Sequence, residues 1–382
     1  MSDSGLVVIG SGPAGVAAAE AYRDRQPHSP VRILSADRRR PYARPPLSKE
    51  FLRGKTDDTE LHPEQWFRER DIQLALDSRV QGFDPQQRVV TVDGEPYGYD
   101  ALVFATGAGP VPLPVPGAEH ALQLRSLDDA ERLRDTAARA GTAVVIGAGF
   151  IGCEAAASLA LRGISVTLIA PEEVPQQGRL GVEAGRKLIG LVEGSGARWL
   201  GGVQVERLEE GRVHLDTGDA LPADLILAAT GVAPNSELAG VAGVPMQGSR
   251  IIADEDMSTG VDNVYAAGDV ALAFNAVAGR RLAVEHWQDA ETQGQVAGAT
   301  AAGDDAAWSD VPGFWTTIGD TTVKYHAWGD GYDAAHLVER AGGFTVWYEA
   351  EGAVVAVLTC NADDDYEHGG ELIKAGKPAP IG

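Results

Sequence analysis

Four-residue and five-residue apolar runs punctuate this chain at wide intervals. Each is followed by glycine or by small residues. Leu6–Ile9 is unbroken apolar and gives way to Gly10-Ser-Gly12-Pro-Ala-Gly15 and then to the small run Val16–Ala21. A second apolar run follows at Val31–Leu34. Short apolar stretches of this kind read as strands buried on both faces of a parallel sheet, and small residues after a glycine turn read as a helix packed closely against it. The same order returns later: Ala143–Ile146, then Gly147-Ala-Gly149-Phe-Ile-Gly152, the small run Ala155–Leu161, and a strand over Ile164–Ile169. Leu102–Ala105 and Leu225–Ala229 are apolar runs that each end in Thr-Gly, at Gly107 and Gly231, and Val264–Ala267 ends in Gly268-Asp269. Near the end the pattern changes. Phe344–Tyr348 and Val354–Leu358 carry strand-forming residues in alternation, which predicts antiparallel strands.

At 382 residues the chain exceeds one ordinary core, so two or three domains are expected. Its 47 glycines suit an α/β protein with many tight strand-to-helix turns. The net charge of −23 disfavours nucleic acid and anionic lipid as partners. One stretch departs from that balance. Residues 32–55 hold eight bases (Arg32, Arg38, Arg39, Arg40, Arg44, Lys49, Arg53, Lys55) against Asp37 and Glu50. Such an island serves an anionic partner or forms a solvated charged face. No signal peptide or membrane-length apolar run is evident, and the two cysteines, Cys153 and Cys360, cannot build a disulfide framework, so a cytoplasmic location is expected. His62, His214, His326 and His368 lack metal-ligand spacing, and the Asp363-Asp-Asp run lacks the glycine of a calcium loop; no metal is expected.

The glycine unit occurs twice, with all three glycines at a constant offset of 137 positions. The chemistry explains the spacing. The first glycine makes the tight turn, the second lets a pyrophosphate approach the backbone, and the third lets the helix lie on the sheet. The N–H groups at the helix start then hold the anion. One copy alone is weak evidence; two copies in strand–turn–helix context predict two dinucleotides. Asp37, 27 residues past Gly10, is placed to bond a ribose in the first unit. The equivalent position of the second unit is Ala170, with Glu172 and Glu173 just beyond, and no arginine adjoins it. NADH is therefore favoured over NADPH. Asp269 is suited to a polyol hydroxyl.

The segment Pro41-Tyr-Ala-Arg44-Pro-Pro-Leu-Ser-Lys49-Glu50 resembles the FAD-dependent, NAD(P)H-using ferredoxin reductases, the group of putidaredoxin, rubredoxin and biphenyl-dioxygenase ferredoxin reductases, with apoptosis-inducing factor as a relative. Gly149–Glu154, Gly231–Asn235, Ala266–Asp269 and Glu285-His-Trp287 support the resemblance. It implies a glutathione-reductase-like α/β fold with two Rossmann-type domains and a C-terminal α+β domain. FAD would be bound by residues 1–112 and 246–310, NAD(H) or NADP(H) by 113–245, and residues 311–382 would form the last domain.

The resemblance places Gly10, Gly12, Ala14, Gly15, Asp37, Arg44, Lys49, Val80, Gly107, Arg125, Asp269 and Trp287 on FAD. It places Gly147, Gly149, Ile151, Gly152 and Gly231 on the nicotinamide dinucleotide. Lys49, paired with Glu154, would be the catalytic cation, stabilising negative charge on the reduced flavin. The implied activity passes electrons from NAD(P)H through FAD to a ferredoxin-type iron–sulfur protein of an oxygenase system, docking on the Arg38–Lys55 island, with the reductase a monomer or homodimer. A disulfide reductase is disfavoured, because residues 37–60 contain no cysteine and neither Cys153 nor Cys360 has a neighbouring partner. An NADH oxidase or diaphorase with a small acceptor, and a redox-sensing interaction protein, are the alternatives.

Overall fold

The computed structural model describes residues 4–381. It resolves into two compact units. The first contains the chain up to Ala43, Glu60–Gly109 and Ala233–Phe314; the second contains Arg44–Thr59, Pro110–Val232 and the chain from Trp315 onward.

The first unit is built on a five-stranded parallel sheet in the order Val264–Ala266, Ala101–Phe104, Leu6–Ile9, Val31–Leu34, Ile72–Ala75. Its central strand, Leu6–Ile9, is buried throughout, as the unbroken apolar run requires. The crossover helix Pro13–Arg25 starts with proline, whose fixed φ suits a first helical position. Its small residues receive a second helix, Trp287–Ala301, at very short range. A Cβ on Gly294 would lie 2.2 Å from the Ala14 carbonyl oxygen, and one on Gly298 would lie 2.2 Å from that of Ala18. Only glycine permits this contact. Two smaller sheets complete the unit: antiparallel Val80–Asp84, Val89–Val92 and Glu95–Gly98, and the four strands Met246–Gln247, Arg250–Ala253, Ala271–Asn275 and Arg280–Leu282.

The second unit repeats the plan with a four-stranded parallel sheet, ordered Arg198–Leu200, Ser165–Ile169, Thr142–Ile146, Leu225–Ala228. Helix Phe150–Ala160 follows the glycine loop, and helix Gln177–Gly194 follows the second strand. A core of Val144, Ile146, Ile169, Leu208, Val213, Leu215 and Ile226 joins this sheet to the antiparallel strands Val205–Glu209, Arg212–Leu215 and Ala220–Pro222. The alternating C-terminal pattern forms a five-stranded sheet, Gly313–Ile318, Thr321–Ala327, Ala353–Cys360, Gly343–Ala350, Ala334–Arg340, packed by helix Asp363–Ala375. The α/β fold with two Rossmann-type sheets and an α+β C-terminal region is therefore present.

Candidate dinucleotide sites and a buried ion-pair cluster

Both glycine loops have the tight backbone geometry their sequence suggests. Gly10 has φ +113°, and a Cβ on it would meet the Ala105 carbonyl oxygen at 2.2 Å. Gly147 has φ +103°, with the Ala229 carbonyl oxygen at 2.4 Å. L side chains avoid that backbone region and find no space there. The third glycines, Gly15 and Gly152, would each put a Cβ 2.0 Å from the carbonyl oxygen of the first. Both helices begin at a glycine, Gly12 or Gly149, without a side-chain cap and without an acid in the first turn. Their leading N–H groups and positive dipole ends thus suit a phosphate. This cradle fits a dinucleotide pyrophosphate in each unit.

In the first unit Ser11, within the loop, shares a 2.7 Å hydrogen bond with Ser35 at the end of the second strand. Asp37 lies just beyond. Its carboxylate accepts from the Arg39 N–H at 2.9 Å and the Tyr42 hydroxyl at 2.8 Å, which fixes its direction. Ala14 is buried against the Gly268 turn and Gly294. Asp269 sits on a short 3₁₀ turn after strand Val264–Ala266; its carbonyl accepts from Arg250, and Gly268 N–H donates to Gln293. Trp287 is the half-buried first residue of its helix, and Val80 opens a strand opposite Val92. Gly107 has φ +64°, and Asn235 clamps its turn: Asn235 N–H donates to the Gly107 carbonyl, the Asn235 amide donates to that of Thr106, and the Thr106 hydroxyl donates to that of Asn235.

The second unit holds the other residues. Gly231 has φ +97° and its carbonyl accepts from Val111 N–H at 3.0 Å. Ile151 is an exposed residue of the helix's first turn. Arg125 precedes helix Leu127–Ala137, whose start Ser126 caps with Asp129 in a reciprocal capping box. Arg44 is half-buried at the start of the Arg44–Thr59 segment.

That segment is tied into the second unit by side chains. Ser158 donates to the Ser48 carbonyl, Arg162 to that of Leu52, and Arg134 to Asp57. At its centre Lys49 Nζ donates to Glu154 Oε1 at 3.0 Å, with the two side chains only 9% and 6% exposed. Two hydroxyls finish the carboxylate's surroundings. Thr316 donates to Oε1 at 2.5 Å, and Ser48 donates to Oε2. Sequence reasoning paired Lys49 with Glu154 but missed both hydroxyls. Ser48 adjoined the signature lysine and was legible in principle; nothing local marks Thr316.

The basic island is more engaged than its composition implies. Arg40 pairs with Glu60 and Glu64. The Arg53 side chain is buried, donating to Asp320 and to the Gly319 carbonyl. Cys153 and Cys360 are both free and buried. Burial, with the Glu154 charge second, pushes the Cys153 thiol up to about 12; burial also raises Cys360. Among the described residues no three His, Cys, Asp or Glu side chains gather as a metal site, and no helix is long and apolar enough to cross a membrane.

Relatives share this architecture along the whole chain. A solved structure of the covalent putidaredoxin reductase–putidaredoxin complex matches with a TM-score of 0.93 at 28% identity, covering 99% of this chain and 94% of that one. The ferredoxin–NAD(+) reductase component of the Burkholderia cepacia anthranilate 1,2-dioxygenase system is 32% identical, over 98% of this chain and 95% of its own length. Human apoptosis-inducing factor 3 is 30% identical over 98% of this chain, which spans only 64% of that longer protein. The pyridine nucleotide-disulphide oxidoreductase model matches residues 4–294, and the chain belongs to that family.

Proposed function

We propose that this protein is an FAD-dependent NAD(P)H:ferredoxin reductase, taking electrons from the nicotinamide coenzyme and delivering them to a ferredoxin-type iron–sulfur protein of an oxygenase system. The observation that carries the reading is the pair of glycine cradles, one in each unit. Asp37 accompanies the first and the buried Lys49–Glu154 pair accompanies the second. The names and near-complete coverage of the reductase relatives support it.

FAD, when bound, supplies the hydride-accepting chemistry, so the protein's work is positioning and electrostatics. In this reading residues 1–112 and 246–310 serve FAD, 113–245 serve the nicotinamide coenzyme and 311–382 form the last domain. Gly10, Gly12, Ala14 and Gly15 hold the FAD pyrophosphate, Asp37 accepts from its adenosine ribose, and Asp269 holds the ribityl chain. Arg44, Val80, Gly107, Arg125 and Trp287 complete that site. Gly147, Gly149, Ile151, Gly152 and Gly231 hold the nicotinamide dinucleotide. Lys49 presents its ammonium toward developing negative charge, while Glu154, Ser48 and Thr316 hold that ammonium in one place. Neither buried cysteine takes part, which separates this protein from disulfide reductases within the same family.

The acceptor docks on the Arg38–Lys55 run, in the cytoplasm, steered by charge. Glu60, Glu64 and Asp320 offset part of that charge, Asp320 lying 3.9 Å from Lys55 as well as against Arg53; the reversals that test the island are at Arg38, Arg39 and Lys55. Purified holoprotein with NADH should reduce cytochrome c only when a suitable ferredoxin is added. Triple reversal should slow that rate more than direct dye reduction and flatten its salt dependence. Equal loss of both activities overturns the docking site. Full activity with oxygen or quinone and none with any ferredoxin overturns the acceptor and favours the oxidase or diaphorase.

A further inference from the structure

The Glu285-His286-Trp287 motif has a built environment that the electron-transfer reading leaves unused. His286 immediately precedes helix Trp287–Ala301, and Asp289 lies in that helix's first turn. The Asp289 side chain is only 6% exposed, and its Oδ2 accepts from His286 Nδ1 at 3.1 Å. The same oxygen accepts from the Gly313 N–H at 3.2 Å. The Phe314 ring packs on the imidazole, with centroids 4.6 Å apart. A carboxylate oxygen only accepts, so Nδ1 carries the hydrogen. Nε2 is then the nitrogen with the free lone pair, and it meets no partner among the described residues.

The pair is anchored to the first glycine cradle. One turn on from His286, Ala290 packs at Gly268: a Cβ on that glycine would lie 3.4 Å from the Ala290 Cβ and 3.2 Å from the Ala14 Cβ. Ala14 belongs to the cradle, and Gly268 precedes Asp269. Glu285, the imidazole's neighbour in sequence, pairs with Arg250, which also donates to the Asp269 carbonyl. The charged groups beside the imidazole are therefore Asp289 on its own helix and the Glu285–Arg250 pair. The strand that meets it supplies the Gly313 N–H and the Phe314 ring, neither of them charged. At 17% exposure the imidazole still touches water.

Resting on the reading that this cradle holds FAD and that the acceptor is an iron–sulfur protein, we propose that His286 is the proton exit of the FAD site, with Asp289 as its positioning residue. The balance of the reaction requires an exit. NAD(P)H gives up a hydride, which is two electrons and one proton, and leaves as NAD(P)⁺. Two iron–sulfur acceptors take one electron each and no proton. One proton per coenzyme is therefore left in the site. His286 Nε2 takes that proton and passes it to water. Asp289 holds the ring in the tautomer that leaves Nε2 open, and offsets the positive charge the ring then carries. Imidazole suits the task because it exchanges protons near neutrality.

The test compares His286→Gln, His286→Ala and Asp289→Asn in FAD-loaded protein, with NADH as donor and two kinds of acceptor. Ferricyanide takes single electrons and no proton; benzoquinone takes its electrons with protons. His286→Gln and His286→Ala should slow ferricyanide reduction about a hundredfold, the usual contribution of a placed general base, and slow quinone reduction far less. Imidazole added to the buffer should restore much of the His286→Ala rate. NMR of the ring nitrogens, with no turnover, should show hydrogen on Nδ1 in the parent and a mixture of tautomers in Asp289→Asn. Unchanged ferricyanide reduction, equal losses with both acceptors, or no rescue by imidazole overturns the proposal while the reductase reading stands. A parent that takes up FAD and NADH but reduces neither ferricyanide nor a ferredoxin overturns the reductase reading, and the proposal with it.

Discussion

Replacing Glu154 by Gln tests the ion-pair cluster most directly. Glu154 is the only anionic partner of Lys49 among the described residues, and both side chains are nearly closed to water. The amide keeps the volume but removes the charge. It also turns one acceptor into a donor, so one of Lys49, Ser48 and Thr316 then faces an N–H where an oxygen stood. Breaking a buried pair from one side costs about 3–5 kcal/mol. For a unit of this size each kcal/mol moves the melting temperature by roughly 2–4 °C. The expected drop is therefore about 6–20 °C by calorimetry, in protein with and without bound FAD.

The paired control is Lys49→Met with Glu154→Leu, which removes both charges and fills their space. A buried ion pair so replaced is often neutral in stability, so the double variant should recover most of the melting temperature. Its ferredoxin reduction should stay low, because the ammonium is gone. Stability and catalysis would then come apart in one pair of variants. A Glu154→Gln protein that melts within about 2 °C of the parent would refute the argument, since Lys49 would then need no carboxylate.

Gly147→Ala places a Cβ against the Ala229 carbonyl oxygen at a φ that alanine avoids, so NAD⁺ titration should lose its signal while the protein still purifies with bound flavin. Asp224 accepts from the N–H groups of Thr142 and Gly141 and from the Thr142 hydroxyl; the Thr142 N–H, then the Gly141 N–H, holds its carboxyl below the usual range. A depressed folded value means its contribution is present above about pH 4 and is lost as pH falls through that lowered value. Urea midpoints of parent and Asp224→Asn should therefore differ by a constant amount near neutrality and converge in acid. With its thiol raised to about 12 by burial, Cys153 should resist thiol reagents in the native state, and Cys153→Ala should retain NADH-dependent dye reduction; loss of that activity would point to thiol chemistry.

The legible parts of this molecule are those whose physical requirement is local. Gly10 and Gly147 had to be glycine because of their own φ and a carbonyl across one turn, and the repeat made that requirement visible twice. Leu6–Ile9 read as a doubly covered strand because four successive positions are apolar. The place of Asp37 just past strand Val31–Leu34 was legible for the same reason, lying at a fixed distance along one unit. The parts that escaped depend on chain segments far apart. Thr316 reaches Glu154 across 162 positions, and a threonine in a strand carries no mark of that use.

Charge misleads in the same way. Arg40 and Arg53 sit in what reads as one basic face, yet Glu60 and Glu64 engage the first and Asp320 the second. A run of bases states how much charge a segment carries, not how much remains after the fold supplies its acids. With 55 acids against 32 bases, a run of bases folds among surplus acids. The informative carboxylate is then one that the fold holds in place without a cation. Asp224 is such a carboxylate, held by the Gly141 and Thr142 N–H groups, and its placement says more about the fold than the density of arginines between Arg38 and Lys55 says about a partner.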